Sequence, residues 1–311
     1  MRAAGRPEGL RYLSRALLSL ALLSLALIVL YLATPAARPA PHAAPTRRGF
    51  TSIQSWSEYV TMRDGVKLAV DVHVPKGLAS GERTATILHM SRYYRSVGVR
   101  LMWRPVYGAM YPITERDLRE AFVKAGYSWV DVDVRGAGAS FGHSEYPLSA
   151  DEVKDGADLL DWIVDQPWAA GVVGATGTSY DGALAMMLLR NHHPALKAVA
   201  PRFAGWDAYD DIFLPGGLHA SALLHDWSKL VAALDRGRLT DVFGWTAGMM
   251  TPGVRAVDAH VLPVAIRDHD RNVDLGHAEG LAARTREVQR SSLALARTAR
   301  DAPRATSGAG A

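Results

Sequence analysis

The stretch Val172-Val173-Gly174-Ala175-Thr176-Gly177-Thr178-Ser179-Tyr180-Asp181-Gly182 limits the fold of this chain more than any other. A short apolar run enters it, an Ala/Leu/Met-rich helical pattern over residues 183–190 leaves it, and Ser179 stands at the crossing between two glycines. A strand-turn-helix of this kind lifts the serine hydroxyl above the carboxyl end of a parallel sheet, on a turn so tight that the flanking residues must be small. The backbone N–H of the following residue, Tyr180, then faces the place where an oxyanion would form. The spacing departs from G-x-S-x-G, because Asp181 occupies the place of the second glycine and Gly182 follows it. An ordinary strand-to-helix turn with a buried serine shares the local pattern, so the surrounding chain has to distinguish the two.

The surroundings alternate strands with helices. Residues 56–62 and 66–74 flank Asp64-Gly65, and Val66, Leu68, Val70, Val72 and Val74 alternate with Lys67, Ala69, Asp71 and His73. That pattern predicts a half-buried antiparallel hairpin on a two-residue turn. Residues 84–90 read as a buried strand that ends in Ser91-Arg92-Tyr93-Tyr94-Arg95, and residues 114–125 as a helix stopped by Gly126. A strand over 127–134 follows. Ser149 then caps a helix running to about Gln166, with Glu152 in the capping-box position and Pro167 as its end. Residues 196–200 predict one more buried strand. The alternation implies an α/β fold, a mostly parallel sheet with helices on both faces, over residues 49–205. Residues 206–275 are helical, aromatic and apolar in character and read as the start of a cap over a site.

Charge separates the ends of the chain from its middle. The pI of about 9.3 suggests a nucleic-acid partner. Yet residues 1–48 hold seven arginines and one glutamate, and residues 277–311 six arginines and three acids. Removing those from 35 basic and 31 acidic residues leaves 22 and 27 for residues 49–276, so the middle is acidic and offers no phosphate-tracking surface. Arg2, Arg6, Arg11 and Arg15 precede an uncharged, leucine-rich run over residues 16–33. A positive segment before such a run marks export, as a cleaved signal peptide or as an uncleaved anchor, with the remainder of the chain outside. Residues 1–33 are therefore assigned to a signal peptide or anchor, and the Pro/Ala-rich residues 34–48 to a linker. There is no cysteine, which excludes disulfides and thiolate chemistry.

Other candidate motifs carry less. Arg135-Gly136-Ala137-Gly138-Ala139-Ser140 follows a strand but lacks the Gly-Lys-Ser/Thr ending of a P-loop and the third glycine of a dinucleotide fingerprint. It reads as a structural loop, and no cofactor is expected. His192-His193 suits a helix C-terminus. His225-Asp226 and Asp268-His269-Asp270 offer base-and-acid pairs in cap-like sequence, and no spacing points to a metal site. Tyr93 and Tyr94 leave their strand at the same face as Ser179, so either hydroxyl is placed to donate to an oxyanion.

Taken together, these residues resemble the cocaine esterase-like and X-prolyl dipeptidyl-peptidase (S15) family of serine hydrolases, also termed CocE/NonD. The resemblance runs from about Trp56 to about Gly217. It includes Thr61-Met62-Arg63-Asp64-Gly65-Val66-Lys67-Leu68, the Ser91-Arg92-Tyr93-Tyr94 strand end, Asp133 to Ser140, Asp155-Gly156, Asp161-Trp162-Ile163 and Gly177-Thr178-Ser179-Tyr180-Asp181-Gly182. It implies an α/β-hydrolase core with a helical cap, acting on a small-molecule ester or short peptide through an acyl-enzyme. Ser179 would be the nucleophile, the Tyr180 N–H one oxyanion donor and Tyr93 the other, with Tyr94 as the alternative. The resemblance also implies an acid and then a histidine after the serine. The sequence shows neither on a later strand, and residues 276–311 form a low-complexity Ala/Arg/Ser/Gly tail like truncated or frame-shifted coding sequence. Two expectations follow: a serine hydrolase centred on Ser179, or a remnant without triad acid and histidine that at most binds a ligand or partner.

Overall fold

A computed structural model describes residues 49–95, 115–205, 207, 209–213, 215–218, 220–245 and 253–273. The apolar run over 16–33, the linker and the tail from 276 lie outside the described residues. Among those described, no helix is long and apolar enough to cross a membrane.

Six strands form one mixed sheet: β1 (Ile53–Thr61), β2 (Lys67–Pro75), β3 (Thr84–Ser91), β4 (Ser128–Asp133), β5 (Ala169–Thr178) and β6 (Leu196–Arg202). Their spatial order is β1-β2-β4-β3-β5-β6. The β1–β2 and β2–β4 pairs are antiparallel, and the β3–β4, β3–β5 and β5–β6 pairs are parallel. Each parallel step is bridged by a helix: α1 (Glu115–Lys124), α2 (Ala150–Val164) and α3 (Tyr180–Met187). After β6 come a π-helical turn at Tyr209–Phe213, α4 (Ser221–Asp235), α5 (Thr240–Phe243) and α6 (Leu262–Asp268). The strand after β3 lies on one side of it and the next strand on the other. The order therefore reverses at β3, and the crevice beyond the carboxyl ends of β3 and β5 is where sheets of this class hold ligands.

Three local expectations need correction. The hairpin turn is not two residues long: Thr61 pairs with Lys67 and Met62 N donates to Val66 O at 2.8 Å, so residues 63–65 form the loop, with Gly65 at φ 85° inside it. Nor is β2 half-buried, because it pairs with β1 on one side and β4 on the other, and every residue from Leu68 to Pro75 is buried. Its polar members are paired within the fold, His73 Nδ1 with Ser55 Oγ at 2.7 Å and Asp71 with Ser57 Oγ at 2.6 Å. The strand expected to be buried after α3, β6, is a half-exposed edge among the described residues.

The core lies between the sheet and its helices. Leu68, Leu88 and Trp129 from the sheet, Leu159, Leu160 and Ile163 from α2, and Leu184 and Met187 from α3 are fully buried. Each such side chain contributes roughly 1.5–3 kcal/mol through removal from water. Ser149 caps α2 by accepting from Glu152 N at 3.2 Å. The return half of the expected capping box is absent, because the Glu152 carboxyl is fully buried and bonded elsewhere.

Charges also enter the centre of the sheet, and they enter paired. Asp131 on β4 accepts from Trp129 Nε1 at 2.7 Å, His89 Nδ1 at 2.8 Å and Arg119 Nη1 at 2.6 Å. Burial alone would raise its carboxyl, but His73, His89 and Arg119 hold it well below the usual carboxylate range. His89 on β3 stands between two carboxylates, with Nε2 3.4 Å from Asp181 on α3. Burial would push its imidazolium down, and Asp131 and Asp181 outweigh it and lift the ring to about 10.

Two outcomes follow from this buried histidine. The native state binds its proton more tightly than the unfolded chain, whose histidines titrate near 6.5. The associated stability is therefore complete below about pH 6.5 and is lost as pH rises through about 10. Urea unfolding measured at pH 7 and pH 10 should show that decline. His89→Leu, which takes the shared cationic partner from two buried carboxylates, should cost about 3–5 kcal/mol at pH 7.

Candidate active site

The geometry at Ser179 comes from how closely α3 approaches the sheet. Gly177, the last residue but one of β5, lies against the Asp181 backbone, nearer than any side chain at 177 would allow. A Cβ on Gly182 would meet Gly177 O at 2.8 Å and Arg202 O at 2.9 Å. The second glycine of the motif is needed one place later than in G-x-S-x-G because residue 182, not 181, faces the strand ends. Residue 181 is turned inward instead, where the Asp181 Oδ1 accepts from Arg92 N at 3.1 Å. Between the two glycines Ser179 is forced to φ 60°, ψ −121°. A non-glycine residue held there costs of order 1–3 kcal/mol. Bonds on both sides hold it: Ser179 N donates to Arg202 O at 2.9 Å, and Ser179 O accepts from Ala183 N at 2.9 Å. The side chain is exposed.

Tyr180 opens α3, so its N–H is among the first-turn donors that have no partner within the helix. Its side chain turns away from the serine and is buried. The hydroxyl donates to Glu152 Oε2 at 2.7 Å and accepts from Leu148 N at 2.7 Å. Burial raises the Glu152 carboxyl to about 7, against the pull of the Tyr180 hydroxyl and Arg92.

The two consecutive tyrosines separate clearly. The Tyr93 hydroxyl accepts from Trp227 Nε1 of α4 at 3.0 Å and is near enough to Ser179 to interact with it. Burial, then the Asp181 charge, pushes it up to about 12, so it keeps its proton at neutral pH. Tyr94 points the other way, at φ 76°, and its hydroxyl donates to Leu234 O at 2.7 Å. The rings of Tyr93 and Tyr180 meet edge to face at 6.2 Å, and Trp227 is tilted over Tyr180 at 6.2 Å. Trp227, Asp181 and the role of Glu152 were not legible as site features in the sequence. The irregular glycine spacing was the one signal that residue 181 is special.

The remaining candidates lie elsewhere. His269 is buried with Nδ1 2.8 Å from Asp235 O and Nε2 2.7 Å from Ser140 O, so it ties α4 to the glycine-rich loop. His193 Nε2 is 2.9 Å from Asp161, and His192 ends its 3-10 turn in the left-handed region at φ 47°. His225 and Asp226 are exposed on α4. The loop from Arg135 to Ser140 folds back on the end of β4, where Ala139 N donates to Asp133 Oδ2 at 2.8 Å. Among the described residues, no histidine is hydrogen-bonded to the Ser179 hydroxyl.

Comparison with known proteins places the chain in a family. Residues 64–263 match the X-Pro dipeptidyl-peptidase (S15) family. The chain is 43% identical over 250 residues to the proposed serine esterase Mb1866c of Mycobacterium bovis, a match covering 77% of this chain and 40% of that protein. It is 34% identical over 173 residues to the cocaine esterase of a Rhodococcus species, covering 55% of this chain and 27% of that enzyme. A solved CocE/NonD family hydrolase from Staphylococcus aureus shares the fold, with a TM-score of 0.50 at 23% identity over 62% of this chain and 34% of that one. The chain spans at most 40% of the length of the curated relatives it matches.

Two substitutions check the elbow and its support. Gly182→Ala should lower stability by about 1–3 kcal/mol in denaturant titration, because backbone oxygens rather than flexible side chains meet the added methyl. Glu152→Gln removes a titration whose native value, about 7, lies above the unfolded value near 4.3. Wild-type stability tied to that proton is full below pH 4, falls as pH rises through 7, and is missing at pH 8. The variant should lack that fall and exceed wild type at pH 8 by up to about 3 kcal/mol.

Proposed function

The chain belongs to the X-Pro dipeptidyl-peptidase (S15) family, and we propose that it is a serine hydrolase that cleaves an ester or amide through an acyl-enzyme on Ser179. The observation that carries this reading is the exposed, strained Ser179 at the carboxyl end of β5, with Tyr93 packed against the adjacent Tyr180. In this mechanism Ser179 Oγ attacks the substrate carbonyl while its proton passes to a general base, which later returns it to the leaving group, and the carbonyl oxygen becomes an oxyanion. The Tyr180 N–H and the Tyr93 O–H donate to that oxygen. The leaving alcohol or amine departs protonated, and water then releases the acyl group from Ser179. Tyr93 suits the part because it stays a phenol at neutral pH.

The substrate class that fits is a small-molecule ester or a short peptide, in keeping with relatives named as esterases and with a peptidase family. In the same reading residues 49–205 are the catalytic core and residues 206–275 a cap over its site. The arginine-flanked run at 16–33 supports export, either anchored in a membrane or released after cleavage. A second reading, a ligand-binding protein without turnover, draws on one observation: no described histidine stands against Ser179 to take its proton.

A fluorophosphonate probe separates the two readings, since it phosphonylates only an activated serine. Under the hydrolase reading the full chain is labelled and Ser179→Ala abolishes the label. Tyr93→Phe slows labelling by about 10²–10³-fold, the usual cost of one oxyanion donor, and Tyr94→Phe leaves the rate within a few-fold. An unlabelled wild-type chain would overturn the hydrolase reading.

A further inference from the structure

Arg92, Tyr93 and Tyr94, the three residues that follow β3, all bond to one face of α4. Arg92 Nη2 donates to Asp235 Oδ2 at 2.8 Å, Trp227 Nε1 donates to the Tyr93 hydroxyl at 3.0 Å, and the Tyr94 hydroxyl donates to Leu234 O at 2.7 Å. Residues 227, 234 and 235 are seven and eight positions apart, two helical turns, so they share a face of α4. Val231, one turn from Trp227 on that face, is buried as well. The helix therefore runs along the strand end as a splint, fixed at its middle and at its carboxyl end.

The Trp227 contact has only one possible polarity. An indole nitrogen donates and cannot accept, whereas a phenol oxygen has one proton and two acceptor sites. The Tyr93 oxygen is consequently the acceptor, and its own proton is excluded from the side facing Trp227. Away from Trp227, Tyr93 borders the elbow, its ring 6.2 Å from that of Tyr180 and its hydroxyl near enough to Ser179 to interact with it. Tyr94 provides an internal contrast, since its proton is committed to a carbonyl and is unavailable to any ligand.

We propose that Trp227 is a positioning residue that directs the Tyr93 hydroxyl proton toward the oxygen developing beside Ser179. This rests on the serine-hydrolase reading above. Accepting a hydrogen bond also polarises the phenol and strengthens it as a donor. The contact thereby makes the quality of one oxyanion donor depend on the seating of α4.

A double-mutant cycle in the full chain tests this. Trp227→Phe keeps an aromatic ring against Tyr180 while removing the N–H donor and part of the indole's volume, and the second background separates the two effects. In an otherwise wild-type chain it should slow fluorophosphonate labelling of Ser179 by about tenfold, a part of the 10²–10³ that a lost donor costs. In a Tyr93→Phe background it should change the rate less than twofold. A purely structural role would give the same loss in both backgrounds, and that result overturns the proposal while leaving the hydrolase reading intact. A wild-type chain that is not labelled at all overturns the hydrolase reading and this role with it. The hydrogen bond has its own readout that needs no activity. The Trp227 indole ¹H–¹⁵N resonance, assigned by its loss in Trp227→Phe, should move upfield in Tyr93→Phe, and an unmoved resonance overturns the proposal whatever the labelling shows.

Discussion

The close approach of α3 to the ends of β5 and β6 governs this structure. With backbone of one element packed against backbone of another at Gly177 and Gly182, α3 has one seating, and Ser179 has to take a left-handed φ of 60° to connect strand to helix. The seating then decides what every neighbouring side chain meets. Asp181 is carried inward to Arg92 N and toward His89, and Tyr180 is carried under the site to Glu152. The serine hydroxyl is left outside because nothing in the turn has room for it. An exposed, strained nucleophile position is thus the by-product of a packing contact, and its strain is offset by the buried contacts of Leu184 and Met187 on the same helix.

The polar content of the sheet centre follows from the same seating. A buried carboxylate without partners costs several kcal/mol, and replacing a satisfied pair by apolar groups is often neutral. Asp131, His89 and Asp181 are therefore better understood as specifying an arrangement than as adding stability. Sliding β4 by one residue would send Asp131 and Trp129 to the opposite face and break the contacts of Asp131 with His89, Arg119 and His73. His89 joins Asp131 on β4 to Asp181 on α3, so strand register and helix seating are specified by one connected set of charges. Asp133, bonded to Arg95 and to the turning Ala139 N–H, does the same for the loop that follows β4.

How much of this was legible in the sequence depends on whether the determinant is local. The strand-turn-helix at Ser179, the cap at Ser149 and the order of strands and helices rest on neighbouring residues, and they were readable. The burial of β2 was not, because Lys67-Leu68-Ala69-Val70-Asp71 alternates like a half-exposed strand, and only pairing with β4 shows that Asp71 and His73 point into an occupied region. The edge position of β6 is a property of strand order, which no residue in 196–202 encodes. Glu152 satisfied the capping pattern by its spacing, yet its carboxyl serves Tyr180, which is adjacent only after α2 and α3 pack. Tyr93 and Tyr94 were inseparable for a related reason: consecutive residues leave a strand on opposite sides, and which side holds Ser179 depends on β5 lying next to β3. The split reading of the chain as hydrolase or remnant persists for the same cause, since a partner for Ser179 is a long-range fact.

The two oxyanion donors in the proposed mechanism differ in what holds them. The Tyr180 N–H is part of the turn, so any chain that folds with Ser179 at φ 60° presents it, and its direction cannot drift without unseating α3. The Tyr93 O–H can rotate about its C–O bond, and a rotor aimed by solvent would spend much of its time donating elsewhere. Electrostatic stabilisation of a transition state relies on donors whose orientation is set before charge develops. For a hydroxyl that requirement has to be met by a second side chain, and a donor-only group on the far side of the oxygen meets it without competing for the proton. The indole of Trp227 is such a group, and the pairing of Arg92 with Asp235 and of Tyr94 with Leu234 fixes the helix that carries it. A site built this way is assembled from both the sheet and the element above it, which is why the elbow alone does not define it.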